Sequence, residues 1–142
     1  MPASADSPEV LVDTSVAIAL VVVDHEYHGA TVRALGGRRA GLAGHAAYET
    51  FSVLTRLPAP LRRTPRAVGQ LLRSNFPTSR FLSETSAGSL LSRLAELGIA
   101  GGAVYDALVG AAALEHGVAL MTRDIRAFDT YRLLDVDLEM LA

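Results

Sequence analysis

The sequence contains no cysteine and no lysine among its 142 residues, and each absence excludes a set of functions. Without cysteine, the chain has no disulfide framework, no thiolate zinc site, no iron–sulfur cluster and no cysteine nucleophile. Without lysine, it lacks the phosphate-binding lysine of a P-loop, a Schiff-base lysine and the phosphate-contacting lysine of receiver domains. Any contact of a basic side chain with phosphate must therefore come from arginine.

Long apolar runs and a secretory signal are missing as well. The longest apolar run, residues 16–23, is too short to span a bilayer, and the first ten residues lack a basic start. Half of the residues are apolar and a fifth are charged, which is enough for a packed core. We therefore expect one cytoplasmic domain over residues 1–142, without membrane contact and with residues 1–8 as a flexible extension.

The net charge of −2 argues at first against a nucleic-acid partner, but the charge is unevenly distributed. Residues 1–32 carry −5, residues 33–80 carry +8 and residues 81–142 carry −5. The middle segment holds nine arginines and a single acid, Glu49. This pattern is compatible both with an RNA- or DNA-backbone footprint and with a solvated helical face.

Short apolar segments alternate with helix-forming segments along the whole chain. We predict strands at residues 10–12, 41–43, 80–82 (weakly), 118–121 and 133–136. We predict helices at residues 16–22, 26–35, 45–57, 65–75, 86–97 and 103–116, with a short helical turn at 125–128. Thr14 and Ser15 are candidate caps of the first helix, and Thr64 with Pro65 begins the fourth. Such alternation is typical of an α/β fold, a three-layer α/β/α sandwich around a parallel sheet.

Two aspartates follow predicted strands. Asp13 ends the strand 10–12, and Asp124 lies just beyond the strand 118–121. In open α/β sheets, ligands bind outside the carboxyl ends of the strands, so the two side chains would meet if their strands are neighbours. Taken singly, each is better explained as a turn aspartate that caps the next helix.

Asp106 and Glu49 stand out by their surroundings. Asp106 is the only charged side chain between residues 103 and 114, in a helix so apolar that it should be buried. Burial of an unpaired carboxylate is costly unless a cation neutralises it, although first-turn stabilisation of the helix is the alternative. Glu49 shares a helical stripe with Val53 and Leu57, and its alternative role is an ion pair with an arginine.

Together, Asp13, Glu49, Asp106 and Asp124 are candidate catalytic residues, and Asp13, Asp106 and Asp124 are the candidate metal ligands. Oxygen-only sites rich in carboxylates suit Mg²⁺ or Mn²⁺. A divalent ion there would lower the pKa of a bound water and stabilise charge on a phosphate.

The same residues resemble a known family. Residues 10–15, VLVDTS, resemble the opening strand and first acid of PIN domains, and residues 48–58, YETFSVLTRLP, resemble the second-acid helix of VapC-type toxins. Residues 105–109, YDALV, and 122–124, TRD, resemble the third and fourth acid motifs. Many relatives carry a further acid after the fourth, where this chain has Ile125, Arg126 and Ala127. Asp129 is the available substitute.

This resemblance implies a Mg²⁺- or Mn²⁺-dependent endoribonuclease that acts as the toxin of a toxin–antitoxin pair. It also implies a homodimer, a cognate antitoxin that silences the RNA-cleaving site, and supporting hydroxyls from Ser15 and Thr122. The alternatives are a PIN nuclease for housekeeping RNA processing and a non-catalytic binding module with a vestigial acidic site. A phosphomonoesterase with an Asp-x-Asp motif is disfavoured, because Thr14 and Ser15 follow Asp13.

Arg62, Arg63, Arg66 and Arg73 are the candidate contacts to the RNA backbone, because arginine binds phosphate through a planar fork. The spacing of residues 62, 66 and 73 predicts one common helical face. A dimer or antitoxin surface is the competing use of these arginines. His45, one helical turn before Glu49, is a candidate for substrate contact, although a cap or surface role is favoured.

Overall fold

The computed structural model describes residues 7–142, so six residues of the expected flexible extension at 1–8 lie outside the described range. Four strands and seven helices make up this part of the chain. In chain order they are β1 (Glu9–Val12), α1 (Thr14–Val21), α2 (His28–Leu35), β2 (Arg39–Leu42), α3 (Ala46–Thr55), α4 (Pro65–Asn75), α5 (Glu84–Leu97), α6 (Ala103–His116), β3 (Leu120–Thr122), α7 (Phe128–Leu133) and β4 (Leu138–Met140).

The four strands form one parallel sheet in the order β2-β1-β3-β4. Strand β1 lies in the middle and pairs with β2 on one side and β3 on the other, with Val12 opposite Leu42 and Met121. The predicted α/β/α sandwich with a parallel sheet is confirmed. Because β1 and β3 are neighbours, Asp13 and Asp124 lie at the same edge of the sheet, as the strand-end argument required.

Successive side chains of β1 pack on opposite faces of the sheet, and this divides the core into two layers. Val10 and Val12 pack with α1, α3 and α4 on one face of the sheet, whereas Leu11 packs with α5, α6 and α7 on the other. A strand that is buried on both faces carries an uninterrupted apolar run, which explains the sequence Val-Leu-Val. Among the helices of residues 7–142, none is long and apolar enough to cross a membrane.

One predicted element in the C-terminal third is wrong. Residues 133–136 were expected to form the last strand, but α7 extends to Leu133 and strand β4 begins at Leu138. Leu134 and Val136 are buried and contact the Gly110 position of α6, so this apolar run serves helix packing. The short helical turn predicted around residues 125–128 is present: the backbone N–H groups of Ala127 and Phe128 donate to the carbonyls of Asp124 and Ile125, and α7 follows from Phe128.

The weak strand predicted at residues 80–82 is reduced to a single bridge between Ala43 and Arg80. The backbone N–H of Arg80 donates to the carbonyl of Leu42, and the carbonyl of Arg80 accepts from the backbone N–H of Gly44. These two hydrogen bonds extend the edge of the sheet beside β2 by one residue. The chain then leaves the sheet because Ser83 caps α5 through the backbone N–H of Ser86. The cap of Thr64 on α4, with Pro65 at its start, is found as expected.

Several arginines of the basic middle segment hold the fold together. Arg38 makes a two-fold contact with Glu139 on β4, at 2.7 and 2.9 Å. Arg80 contacts Glu9 on β1 at 2.9 Å, and Arg39 lies 3.7 Å from the same carboxylate. Part of the basic segment therefore neutralises the acidic ends of the chain and is not free to bind phosphate.

Gly41 in β2 has no room for a side chain, because another backbone segment of the same chain passes close to it. A Cβ atom at this position would lie 2.2 Å from the carbonyl oxygen of Thr78 and 2.7 Å from the backbone nitrogen of Ser79. We expect Gly41→Ala to lower the free energy of unfolding by about 2 kcal/mol, since backbone atoms must shift to admit the methyl group. Urea unfolding measures the change.

The control for this substitution is Gly88→Ala in α5, where a Cβ meets nothing within 4 Å. Alanine at this exposed helical position should stabilise the protein by about 0.5–1 kcal/mol. Equal effects of the two substitutions would contradict the close-packing argument for Gly41.

Candidate active site

Four acidic side chains surround one small cavity at the carboxyl edge of the sheet. Its volume is about 30 Å³, which is enough to admit water. The lining consists of Asp13, Thr14, Ser15, Glu49, Asp106, Val109, Asp124 and Tyr131. We call this space the acidic cavity. All four acids that the sequence analysis singled out contribute to it.

Asp13 is the buried member of the group, with only 4% of its surface exposed. Its Oδ1 accepts hydrogen bonds from Ser15 Oγ at 2.5 Å and from the backbone N–H of Val16 at 3.2 Å. Its Oδ2 accepts from the hydroxyls of Thr122 and Tyr131. Burial raises the pKa of Asp13 above its ordinary value, and the four hydrogen bonds oppose that rise without cancelling it.

The bond to Val16 makes Asp13 the N-cap of α1. The sequence pattern had placed the cap at Thr14 or Ser15, and that prediction is wrong. The alternative explanation of Asp13, as an aspartate that caps the next helix, is therefore correct. It accounts for only one of the four hydrogen bonds that the Asp13 carboxylate accepts. The other three donors come from side chains that lie around the acidic cavity.

Ser15 and Thr122 each connect Asp13 to the loop that carries Asp124. Ser15 Oγ donates to Asp13 and accepts from the backbone N–H of Arg123 at 2.9 Å. Thr122 Oγ1 donates to Asp13 and accepts from the backbone N–H of Asp124 at 3.0 Å. Each hydroxyl therefore donates one hydrogen bond and accepts another, and together they fix the position of Asp124 relative to Asp13.

Asp106 is half-buried in the first turn of α6, and no described residue hydrogen-bonds to its carboxylate or forms an ion pair with it. Its pKa is raised to about 6, first by burial and then by the negative charges of Asp124, Glu49 and Asp13. Arg126 opposes the rise only weakly. The structure thus contains an unpartnered carboxylate among like charges, as the apolar helix predicted.

Glu49 on α3 is held from two sides. Thr14 Oγ1 donates to its Oε2 at 3.1 Å, and His45 Nε2 lies 3.3 Å from its Oε1. No arginine in residues 7–142 pairs with Glu49, so the alternative of a structural arginine pair is wrong. His45 occupies the N-cap position of α3, in agreement with the predicted cap role, but its ring makes no capping hydrogen bond and contacts the site acid instead.

Asp124 has about a third of its side chain exposed at the mouth of the cavity. Its Oδ1 accepts from the backbone N–H of Arg126 at 2.9 Å, and the guanidinium Nε of Arg126 lies 3.7 Å away. The Arg126 side chain is 92% exposed. Asp129, the possible fifth acid, is exposed on α7 and is not among the residues that line the cavity.

The four carboxylates surround the cavity without meeting at one point. Within residues 7–142, no three acidic or histidine side chains stand close enough to form a ready-made metal cage. Mg²⁺ does not need such a cage, because it keeps several of its waters and binds proteins through few carboxylates. The arrangement therefore suits a hydrated ion better than one coordinated by protein alone.

None of the four candidate RNA-contacting arginines lines the acidic cavity. Arg62 precedes α4 and is not helical, so its predicted place on a common helical face with Arg66 and Arg73 is wrong. Arg62 Nε donates to the carbonyl of Leu57, and Arg63 is partly buried. The arginine nearest to the site acids is Arg126, which the sequence analysis had noted only as a departure from the family pattern.

Tyr131 is the site residue that the sequence analysis missed. Its ring is buried, and its hydroxyl donates to Asp13 Oδ2 at 3.1 Å. Burial and the charge of Asp13 raise the pKa of Tyr131 well above its ordinary value, so the hydroxyl stays protonated. Nothing in the local sequence marks this role, because the contact joins residues 118 positions apart.

Comparison with known proteins places this geometry in context. A family model described as the PIN domain matches residues 10–133. Ribonuclease VapC27 of Mycobacterium tuberculosis is 48% identical over 135 residues, covering 95% of this chain and 98% of the relative. Ribonuclease VapC40 of the same organism is 47% identical over 131 residues, covering 91% and 96%.

Solved structures of low sequence identity share the fold. VapBC2 from Rickettsia felis, bound to a promoter DNA fragment, matches with a TM-score of 0.67 at 15% identity over 94% of this chain and 99% of that one. DNA-bound VapBC from Salmonella typhimurium matches with a TM-score of 0.66 at 20% identity over 94% and 98%. At these identities the likeness supports the fold alone.

The charge repulsion at Asp106 gives a test in the absence of divalent ions. Its pKa rises from 3.8 to about 6 on folding, so ionisation above that range destabilises the folded protein. With EDTA at pH 7.5, Asp106→Asn should raise the free energy of unfolding by about 1 kcal/mol, a figure reduced for solvent screening. The advantage should decrease as the pH falls below about 6 and vanish below about pH 3, where the acid is neutral in both states.

Urea unfolding at the two pH values measures this difference. Asp137→Asn, which neutralises an exposed acid outside the cavity, is the matched control and should change stability little at either pH. A destabilised Asp106→Asn at neutral pH would show that the carboxylate has a stabilising partner, contrary to the geometry.

Proposed function

The chain belongs to the PIN-domain family, and from that membership we propose that it is a divalent-metal-dependent endoribonuclease, the toxin of a toxin–antitoxin pair. Two relatives that match nearly the whole chain are named ribonucleases. The observation in the structure that carries the proposal is Asp106, a half-buried carboxylate without a partner, facing three other acids around one cavity. A purely structural site would have neutralised this charge.

The residues of the cavity fit a hard divalent cation. All candidate ligands are carboxylates, which suit Mg²⁺ and Mn²⁺, and Asp106 lacks a neutralising partner within the described chain. Asp13, Asp106 and Asp124 would hold the ion. When bound, it supplies positive charge that lowers the pKa of a coordinated water and stabilises charge developing on the phosphate.

The chain's own residues divide the remaining work. Ser15, Thr122 and Tyr131 hold both oxygens of Asp13 in one orientation, so this ligand loses little freedom when a cation binds. Glu49 is more exposed than Asp13 and Asp124, and it is held by Thr14 and His45 at the side of the cavity. In the proposed reaction, a Glu49 carboxylate oxygen accepts the proton of the attacking water.

Contacts to the RNA backbone are assigned to exposed arginines. Arg126 lies beside Asp124, which lines the cavity, and its exposed charge favours the approach of a phosphate. Arg62, Arg66 and Arg73 are exposed and remain candidates for more distant backbone contacts, with the partly buried Arg63 beside them. The proposed setting is the cytoplasm.

The proposed protein partners are a cognate antitoxin and a second copy of the chain. Two structural neighbours are VapBC assemblies bound to DNA, and a third, VapBC-5 from Mycobacterium tuberculosis, is a member of the VapBC family of toxin–antitoxin systems. Exposed large apolar side chains on this molecule, among them Val23 at 71% and Ile125 at 80%, offer surface for such contacts. An RNase that is silenced by a partner needs this kind of surface.

Neutralisation of single site acids tests the proposed activity. With Mn²⁺ present, Asp13→Asn and Asp106→Asn should each reduce cleavage of single-stranded RNA more than about a hundredfold, since several kcal/mol of transition-state stabilisation are lost. Sequencing of the cleaved RNA ends measures activity and site choice together, and Asp137→Asn should cleave like the wild type. Full activity of both site variants would overturn the assignment.

Tyr131→Phe tests the support of Asp13. The substitution keeps the buried ring and removes only the hydroxyl that donates to Asp13 Oδ2. Calorimetric titration with Mn²⁺ should show an affinity at least about tenfold weaker, as expected when a hydrogen bond to a metal ligand is lost. Tyr27→Phe removes a hydroxyl outside the cavity and should leave the affinity unchanged; equal affinities for both variants would contradict the role of Tyr131.

A further inference from the structure

A second cavity lies beside the acidic cavity and has the opposite character. Its volume is about 290 Å³, at the lower end of the range for small-molecule sites. Its walls include His45, Tyr48, Phe81, Leu82 and Leu108, and none of its lining residues is an acid. We call it the aromatic pocket. Tyr48 is 66% exposed and Phe81 is 48% exposed, and their rings meet edge to face with centroids 6.2 Å apart.

His45 joins the aromatic pocket to the acidic cavity. Its ring belongs to the wall of the pocket, while its Nε2 lies 3.3 Å from Glu49 Oε1 in the acidic cavity. The same ring stacks on Tyr105, with centroids 5.1 Å apart and planes 26° from parallel. The pocket and the site of the proposed reaction are therefore direct neighbours.

Helix geometry explains why aromatic and acidic groups alternate here. Tyr48 immediately precedes Glu49 on α3, and Tyr105 immediately precedes Asp106 on α6. Consecutive helical residues point about 100° apart, so each tyrosine flanks its acid on the surface. Both tyrosines are more than half exposed, which is an unfavourable place for a large ring unless something covers it.

We propose that the aromatic pocket binds one unpaired nucleobase of the RNA, next to the phosphodiester that is cut. The inference rests on the proposed ribonuclease activity and adds to it a subsite for the base. Bases of single-stranded RNA stack on tyrosine, phenylalanine and histidine rings, and such stacking needs no charge in the pocket. The phosphate then faces the acids with their cation, and the adjacent base faces the rings.

A protein partner or a second copy of this chain would also cover exposed rings. Two features favour the base. The pocket is small and has ring faces and edges on its walls, and it shares His45 with the cavity in which the phosphate must sit. The pocket therefore selects RNA that is single-stranded or looped at the cut, since a paired base cannot enter it.

Cleavage kinetics on a labelled single-stranded oligoribonucleotide test the proposal. Tyr48→Ala should raise KM roughly tenfold and change kcat less than about twofold, because one stacking contact is lost while the acids are untouched. Tyr48→Phe keeps the ring and should restore the wild-type KM. Leu91→Ala, at a side chain 72% exposed outside the pocket, is the control and should leave KM unchanged.

An abasic scan of the same oligoribonucleotide locates the base. In the wild type, removal of one particular base beside the cut should raise KM about tenfold, and in Tyr48→Ala the same removal should have no further effect. The proposal would be overturned if removal of that base raised KM by the same factor in Tyr48→Ala as in the wild type. It would also be overturned if Tyr48→Ala had the same KM as Leu91→Ala but changed the mass measured by sedimentation, or lost affinity for a protein partner.

Binding without cleavage separates this inference from the proposed activity. With EDTA, an oligoribonucleotide carrying 2-aminopurine at the base found by the scan, or at each position in turn if no cleavage occurs, should lose fluorescence on binding to the wild type. Tyr48→Phe should quench it equally and Tyr48→Ala should not. Quenching without metal-dependent cleavage would support the pocket and reject the activity, whereas cleavage without quenching at any position would reject the pocket.

Discussion

The buried carboxylate of Asp13 is the interaction on which the rest of this structure depends. It ends the central strand, caps α1, and accepts hydrogen bonds from Ser15, Thr122 and Tyr131. These donors belong to α1, β3 and α7, so one side chain aligns three elements around the carboxyl edge of the sheet. Burial alone would make the carboxylate costly, and the four hydrogen bonds offset much of that cost. The fold and the proposed metal ligand are thus held by the same contacts.

The second constraint is repulsion. Once Asp13 and its hydroxyls fix the β3–α7 loop, Asp124 is brought to the same cavity as Asp106, and Glu49 closes the group from α3. Asp106 then faces three acids and has no partner in the described chain, which is why its pKa rises to about 6. Folding without a cation therefore stores unfavourable charge at this place. A protein keeps such a group when the cation that relieves it takes part in function.

The sequence allowed the fold class and the four acids to be predicted, since the local surroundings marked each acid, and Glu49 was the single acid of the basic middle segment. Asp13 and Asp124 ended apolar strands, and Asp106 was the lone charge in an apolar helix. Tyr131 broke no rule, because a buried tyrosine in a short amphipathic helix looks like core, and only the folded chain brings its hydroxyl to Asp13. The last strand was misplaced because residues 134 and 136 are apolar for helix packing against Gly110.

The charge pattern was the least complete guide, and its correction bears on how RNA would be held. The basic middle segment looked like a phosphate footprint, yet Arg38, Arg39 and Arg80 pair with Glu9 and Glu139. None of the four favoured arginines lines the acidic cavity. A substrate phosphate near the cut would therefore meet four carboxylates, and within residues 7–142 the arginine that pairs with one of these acids is the exposed Arg126. A divalent ion reduces the negative charge of this surface and so favours the approach of a polyanion, and stacking in the aromatic pocket supplies affinity that arginine does not.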